Sequence, residues 1–208
     1  MSLSCSPGLI ASALGLSEKK EAQEIDRLCR YSEGLERWSK VHRLVGWKKA
    51  SLLATEGLAD AWALKTLLGG GEFAQIVDIG SGAGLPGIIL SIACPSQELH
   101  LVEPRRKRVS FLREMRRELE LHSLHIHHGR EEDVRNVLPS SEARLVMARA
   151  FRAPEELLDC AEEWDAVGCV LSLRAGRHVS SSSWRPLRSV DGRPRGTTSH
   201  HLFVRSAL

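Results

Sequence analysis

The stretch that decides the fold is "QIVDIGSGAGLPGIIL", Gln75 to Leu90, an apolar run that breaks into glycines and then turns apolar again. A short apolar run ending at a glycine cluster reads as a buried strand, and the apolar residues from about Pro86 read as the helix that follows it. A turn of this kind puts backbone N–H groups, unhindered by side chains, at the positive end of a helix dipole. The natural occupant is a nucleotide-like ligand.

Which nucleotide-like ligand is a question of spacing. In the dinucleotide fingerprint the glycines fall at the first, third and sixth positions, and the sixth residue counted from Gly80 is Leu85. A nicotinamide dinucleotide therefore loses its third glycine. What stands instead is Asp-x-Gly-x-Gly-x-Gly, Asp78 to Gly84, the form typical of S-adenosylmethionine-dependent methyltransferases. An acid just before the glycines favours a cationic ligand over a pyrophosphate, which it would repel. Further on, "LVEP" places Glu103 at the end of a second strand, where a carboxylate can accept both ribose hydroxyls. "GREEDV" places Glu131 and Glu132 in the loop after a third strand, where an adenine ring would lie.

Around this centre the chain divides into two rhythms. From about residue 18 to 68 it reads as helices, with Ile25, Leu28, Leu35, Trp38, Val41 and Leu44 in one stripe and "GLADAWALKTLL" as a further helix. "GGG", Gly69 to Gly71, stops that pattern and divides a helical N-terminal extension, residues 1–70, from a second unit, residues 71–208. In the second unit "QIVDI", "ELHLVEP", "LHIHHG", "ARLVMARA" and "CVLSLRAG" alternate with helical patterns. Alternation of that kind implies βαβ units and a parallel sheet with helices on both faces. "HHLFVRS" is expected to pair with "LRSV" as a hairpin or to re-enter the sheet, and "SSSSW", Ser180 to Trp184, reads as a loop.

The 208 residues allow one full α/β core with a small appendage, because domains usually run to about 100–200 residues. Five cysteines with no CxxC pair suit a reducing cytosol and argue against both a disulfide framework and a zinc site. No basic leader precedes the short apolar patch near the start, and no apolar run approaches a membrane span, so the expected compartment is the cytoplasm. The net charge of +3 says little, but its distribution says more: "RRKRVSFLREMRR", Arg105 to Arg117, holds seven basic residues against one acid. With Val109, Leu112, Met115 and Leu119 on one side, this helix should lie on the sheet and turn its arginines toward an anionic partner. RNA phosphates are the expected partner. The histidines His122, His125, His127 and His128 have no paired Cys or Asp nearby in the chain, so no metal is expected there.

"VDIGSGAGLPGIIL", "LVEPRRKRVSFLREM", "GREEDV" and "VMARAF" together resemble the glucose-inhibited division protein B family, the bacterial small-subunit rRNA methyltransferase G group. The resemblance covers roughly Trp38 to Gly176. Its most specific parts are the Gly-Ala-Gly-Leu-Pro-Gly loop, Gly82 to Gly87, and Lys107-Arg108 followed by Phe111-Leu112. It implies a Rossmann-like class I methyltransferase fold and transfer from S-adenosylmethionine to N7 of a guanine in 16S rRNA. It also implies that 16S rRNA or the small ribosomal subunit is the partner of a monomeric enzyme. Carried onto matching positions, the cofactor set is Asp78, Gly80, Gly82, Gly84, Leu85, Glu103, Glu131, Glu132 and Arg149, with Arg149 also serving the transfer step. The RNA set is Lys40, Arg105, Arg106, Lys107, Arg108 and Arg113.

The chain departs from the family pattern in four places. Ser39 and Arg43 stand where family members tend to carry Asn, Gly57 where they carry His, and Arg174 where they carry Lys. Asp60 of the latter His-x-x-Asp-Ser motif is kept. The rival readings are a non-catalytic rRNA-binding relative, separated by a methyl-transfer assay, and a nicotinamide oxidoreductase, separated by calorimetry with each cofactor. The second lacks a Tyr-Lys arrangement, Tyr31 being the only tyrosine.

Overall fold

A computed structural model describes residues 2–69, 72–149, 153–174, 177–192 and 197–205. Gly70 and Gly71, the expected boundary between the two units, lie outside the described residues, as do Ala150, Ala175 and Gly176.

Before the glycines the chain forms α1 (Pro7–Leu14) and α2 (Ala22–Ser39). A continuous helical segment follows, made of α3 (Ala50–Leu52), a π-helical stretch Leu53–Leu58, α4 (Ala59–Ala63) and a closing 3₁₀ turn Leu64–Leu67. Helix α1 lies inside the expected helical extension but before the stretch, from about residue 18, in which individual helices were read. It is set by Ser6, whose side chain accepts the Leu9 N–H, and by Gly15, which stops it in a left-handed conformation. The expected apolar stripe through Val41 ends early: α2 stops at Ser39 and Val41 is 77% exposed.

The second half supplies β1 (Gln75–Ile79), α5 (Gly87–Ala93), β2 (Glu98–Glu103), α6 (Arg106–Glu118), β3 (Leu124–His128) and α7 (Glu131–Arg135). It continues through β4 (Arg144–Met147), α8 (Pro154–Glu163), β5 (Gly168–Arg174), β6 (Trp184–Asp191) and β7 (Thr198–Arg205). One seven-stranded sheet results, in the order β3-β2-β1-β4-β5-β7-β6. Strands β3, β2, β1, β4 and β5 run parallel, and β7 enters antiparallel between β5 and β6. The last apolar stretch thus does both things expected of it, forming a hairpin with "LRSV" and re-entering the sheet.

The reversal between β1 and β4 opens the sheet at its carboxyl end, the position at which open α/β sheets bind ligands. Two apolar layers flank the sheet. One joins Ile76, Leu99 and Leu101 to α5, α6 and the N-terminal helices; the other joins Val77, Val102 and Val146 to α8. Residues of the N-terminal helices and of the sheet form one continuous buried cluster, in which α2 lies against α5 and α6. Gly34 allows the close approach of α2 to α6, because a Cβ there would stand 2.4 Å from Met115 Sδ. No helix among the described residues is long and apolar enough to cross a membrane.

Candidate active site

Strand β1 ends in a turn with three left-handed glycines, Gly80, Gly82 and Gly84, at φ of 70°, 60° and 80°. They have different work. A Cβ on Gly80 would project into open space, whereas a Cβ on Gly84 would stand 2.5 Å from Ile88 and 3.0 Å from Leu112. Gly84 is therefore needed for packing α5 and α6 beneath the turn, and Gly80 borders an open cleft. Leu85 is buried in the apolar layer below.

The turn is not the row of free donors that the sequence suggested. The N–H groups of Gly80 and Ser81 go to the Val102 carbonyl and that of Gly84 to the Ser81 carbonyl. The Gly82 N–H goes to Glu103 Oε2 at 2.9 Å and the Gly87 N–H to Asp78 Oδ2 at 3.2 Å. Asp78 thus occupies the first N–H of α5, where a phosphate would otherwise be drawn, which is the physical case against a pyrophosphate. Its other oxygen, Oδ1, is buried with no hydrogen-bond partner. Burial pushes the carboxyl up to about 7, against the Gly87 N–H and the more remote Arg149 charge.

At the end of β2, Glu103 is 1% exposed. Its Oε1 accepts the Arg105 N–H and its Oε2 the Gly82 N–H, both at 2.9 Å, with Arg108 Nη1 3.7 Å from Oε2. Each carboxylate oxygen keeps a further lone pair beyond its backbone hydrogen bond. Beside it opens a cleft of about 270 Å³ lined by Ile79, Gly80, Val102, Pro104, Arg130, Glu131 and Glu132. Glu132 is exposed at its rim, and Glu131 is drawn inward by the Trp164 indole N–H, which it accepts at 2.9 Å. Trp164 is fully buried and Trp184 nearly so, which makes both core residues.

Beyond β4 stands Arg149, lining a small cavity with Pro86, Met147, Val170 and Ser172. Its guanidinium is paired with Asp60 at 2.8 Å and lies 5.9 Å from the Trp47 ring centroid. Asp60 is buried and its second oxygen meets His200 Nε2 at 2.9 Å, while His200 Nδ1 meets Ser172 Oγ at 2.8 Å. Four elements thus converge on the arginine: the N-terminal helices, β4, β5 and β7. The sequence marked Arg149 and Asp60 but neither His200 nor Ser172. It also missed Tyr31, whose buried hydroxyl donates to the Ala83 carbonyl at 2.7 Å and ties α2 to the glycine turn. Gly57, where the family pattern has His, is filled from outside: a Cβ there would stand 3.1 Å from both Trp47 and Leu53.

Helix α6 buries Val109, Phe111, Leu112 and Met115 and leaves Arg105, Arg106, Lys107, Arg113, Arg116 and Arg117 exposed around it. Among the described residues none of these six has an ion-pair partner. Arg108 differs from them in turning to Glu103, and Lys40 is exposed at the end of α2. The acidic partners on α6 itself, Glu114 and Glu118, are taken by Arg37. Burial pushes the thiols of Cys5, Cys29, Cys94, Cys160 and Cys169 up, so none is a thiolate at neutral pH.

Comparison with known proteins agrees with this geometry. The family model "GidB: rRNA small subunit methyltransferase G" matches residues 24–181. Relatives called ribosomal RNA small subunit methyltransferase G include that of Hyphomonas neptunium, 36% identical over 71% of this chain and 68% of the relative. That of Desulfotalea psychrophila is 40% identical over 66% and 62%, and that of Ralstonia nicotianae 30% identical over 89% and 81%. The chain spans about two thirds of the length of the first two. Among solved structures, MtNAS in complex with S-adenosylmethionine superposes with a TM-score of 0.58 at 16% identity, over 95% of this chain and 83% of that one. A candidate methyltransferase, yhhF from Escherichia coli, gives 0.53 at 18% identity, over 70% and 83%. The fold is the Rossmann-like class I methyltransferase fold, carrying helices in front of its first strand.

Proposed function

The chain belongs to the GidB family of rRNA small subunit methyltransferases G, and we propose from this premise that it transfers a methyl group from S-adenosylmethionine to N7 of a guanine in 16S rRNA. The observation that carries the reading is Glu103. It is a buried carboxylate at the end of β2, held by two backbone N–H groups beside a cleft that Gly80 leaves open.

The residues present fit such a cofactor. Glu103 would accept its ribose hydroxyls, the cleft between Gly80 and Glu132 would take the adenine, and Asp78, with one oxygen unpartnered, offers a further carboxyl oxygen beside the glycine turn. When bound, the cofactor supplies a methyl group activated on a positively charged sulfur. Guanine N7 carries a free lone pair, so the protein has no proton to remove before attack. Its task is to align the two reactants and keep water out, which suits a site without a thiolate nucleophile. Arg149, fixed by Asp60 and positioned at the end of the glycine turn, would hold the cofactor carboxylate or an RNA phosphate. The exposed bases of α6 with Lys40 would bind the RNA backbone. Cytoplasmic location and action as a monomer belong to the same proposal.

The test is transfer of labelled methyl from S-adenosylmethionine to 16S rRNA, naked and in small subunits, prepared from a strain lacking this methylation. Label should enter one guanine of at least one substrate. Cofactor binding with no transfer to either would turn the reading to a non-catalytic rRNA-binding relative.

A further inference from the structure

Strands β2 and β3 bring together a histidine cluster on the sheet face away from the N-terminal helices. His100 and His125 are direct partners in the parallel register, and their rings stack with centroids 4.8 Å apart. Glu98, two residues before His100 and so on the same face, places Oε1 2.9 Å from His100 Nε2 and 3.8 Å from His125 Nε2. All three ligand atoms lie within 4.8 Å of one another. The sequence offered the histidines without a carboxylate. The sheet supplies one from the neighbouring strand.

We propose that Glu98, His100 and His125 form a site for a divalent transition metal, with zinc the fitting ion. Two imidazoles and a carboxylate are a zinc donor set that leaves a fourth position for water. Ligands about 2.0–2.1 Å from a tetrahedral zinc lie roughly 3.4 Å from one another, so the spacings found need only small side-chain rotations. His100 is buried and fixed, whereas Glu98 and His125 are about half exposed and free to close on an ion entering from solvent. Behind His100 stands His127, its Nε2 2.9 Å from His100 Nδ1. Metal-bound histidines usually donate the other ring N–H to an acceptor, and His127 can take that part by shifting its own proton to Nδ1. No proton need leave the pair.

The site fits a clamp between the edge strand β3 and β2. It lies away from the cofactor cleft, about 10 Å of strand separating His100 from Glu103 at roughly 3.3 Å per residue. The proposal therefore stands or falls independently of the methyltransferase reading.

The test is titration of the full, tag-free, metal-stripped chain with Zn²⁺ by calorimetry, with Co²⁺ absorption reporting coordination geometry and thermal melting reporting linkage. One ion per chain should bind, the melting temperature should rise, and His125→Ala and Glu98→Ala should each weaken binding at least about tenfold. His178→Ala, far along the chain, should bind as the wild type does. Because Glu98 and His125 are exposed, both variants should fold, which their melting curves will verify. Absence of saturable binding by the wild type, or equal affinity in the two ligand variants, would overturn the proposal.

Discussion

Replacing Glu103 with Gln keeps the shape of the side chain and removes what the site needs from it. The carboxylate now serves two backbone donors, Gly82 and Arg105, each at 2.9 Å, and is 1% exposed. An amide has one oxygen and one NH₂, so one donor would be left facing another donor at a nearly buried position. An orphaned buried donor costs about 1–3 kcal/mol, and the surviving bond loses its charge assistance, for roughly 2–4 kcal/mol in all. In a chain of this size that should lower the melting temperature by roughly 5–15 °C. Cofactor affinity should fall as well, because a hydroxyl bonded to a charged acceptor contributes about 1.5–3 kcal/mol, or about 10- to 150-fold in Kd. Calorimetry with S-adenosylmethionine, run well below the variant's melting temperature, separates the two effects. A folded variant with Kd within about twofold of wild type would show that Glu103 does not hold the ribose, and an unchanged melting temperature would refute its bracing of the turn.

Charge reversal at Arg105, Arg106 and Arg113 should flatten the salt dependence of RNA binding, each lost phosphate contact reducing the slope of log K against log salt by roughly 0.7–0.9; an unchanged slope would make α6 a solvated face. Arg149→Lys keeps a charge for Asp60 but loses the planar fork, so methyl transfer should drop at least about tenfold, about 1.4 kcal/mol in the transition state, with little change in melting temperature. Normal transfer, or a loss that only follows unfolding, would count against it. Asp78 is pushed up to about 7 by burial, so the folded chain holds a proton that the unfolded chain releases near pH 4. Its contribution to stability is greatest below that point and is lost as pH rises through 7; urea melts should show Asp78→Asn flattening that decline, and parallel pH profiles would contradict the assignment.

The central parallel strands were legible because strands covered on both faces are largely apolar, as in Ile76-Val77 and Leu145-Val146-Met147, and because glycines and charged turns bracket them, while the edge strand β3 showed only as the alternation Leu124-His125-Ile126-His127. Glu103 was legible for a related reason, since a polar residue closing an apolar run marks a strand end, whereas Asp78 was marked by the glycines that follow it and Glu131 by its place just after the third strand. Strand β6 was only partly visible, since Arg185, Pro186 and Arg188 give it the look of a loop, and its outward side chains are solvent-facing. The contacts that shape the mouth of the site left no local trace. Asp60 and His200 are 140 residues apart, and Tyr31 reaches Ala83 across 52. Nothing in either neighbourhood announces the partner, because such pairs are made by packing and carry no period. The individual duties of the glycines were hidden likewise, since the need for Gly84 arises from Ile88 and Leu112 beneath it.

The most direct measurement is nucleoside-resolution mapping of N7-methylguanine in 16S rRNA from cells with and without a working copy of this gene. A single guanine should lose its N7 methyl when the gene is removed and regain it when the wild-type gene is restored, but not when the Glu103→Gln form is. An unchanged N7-methylguanine map in the absence of the protein would contradict the proposed function.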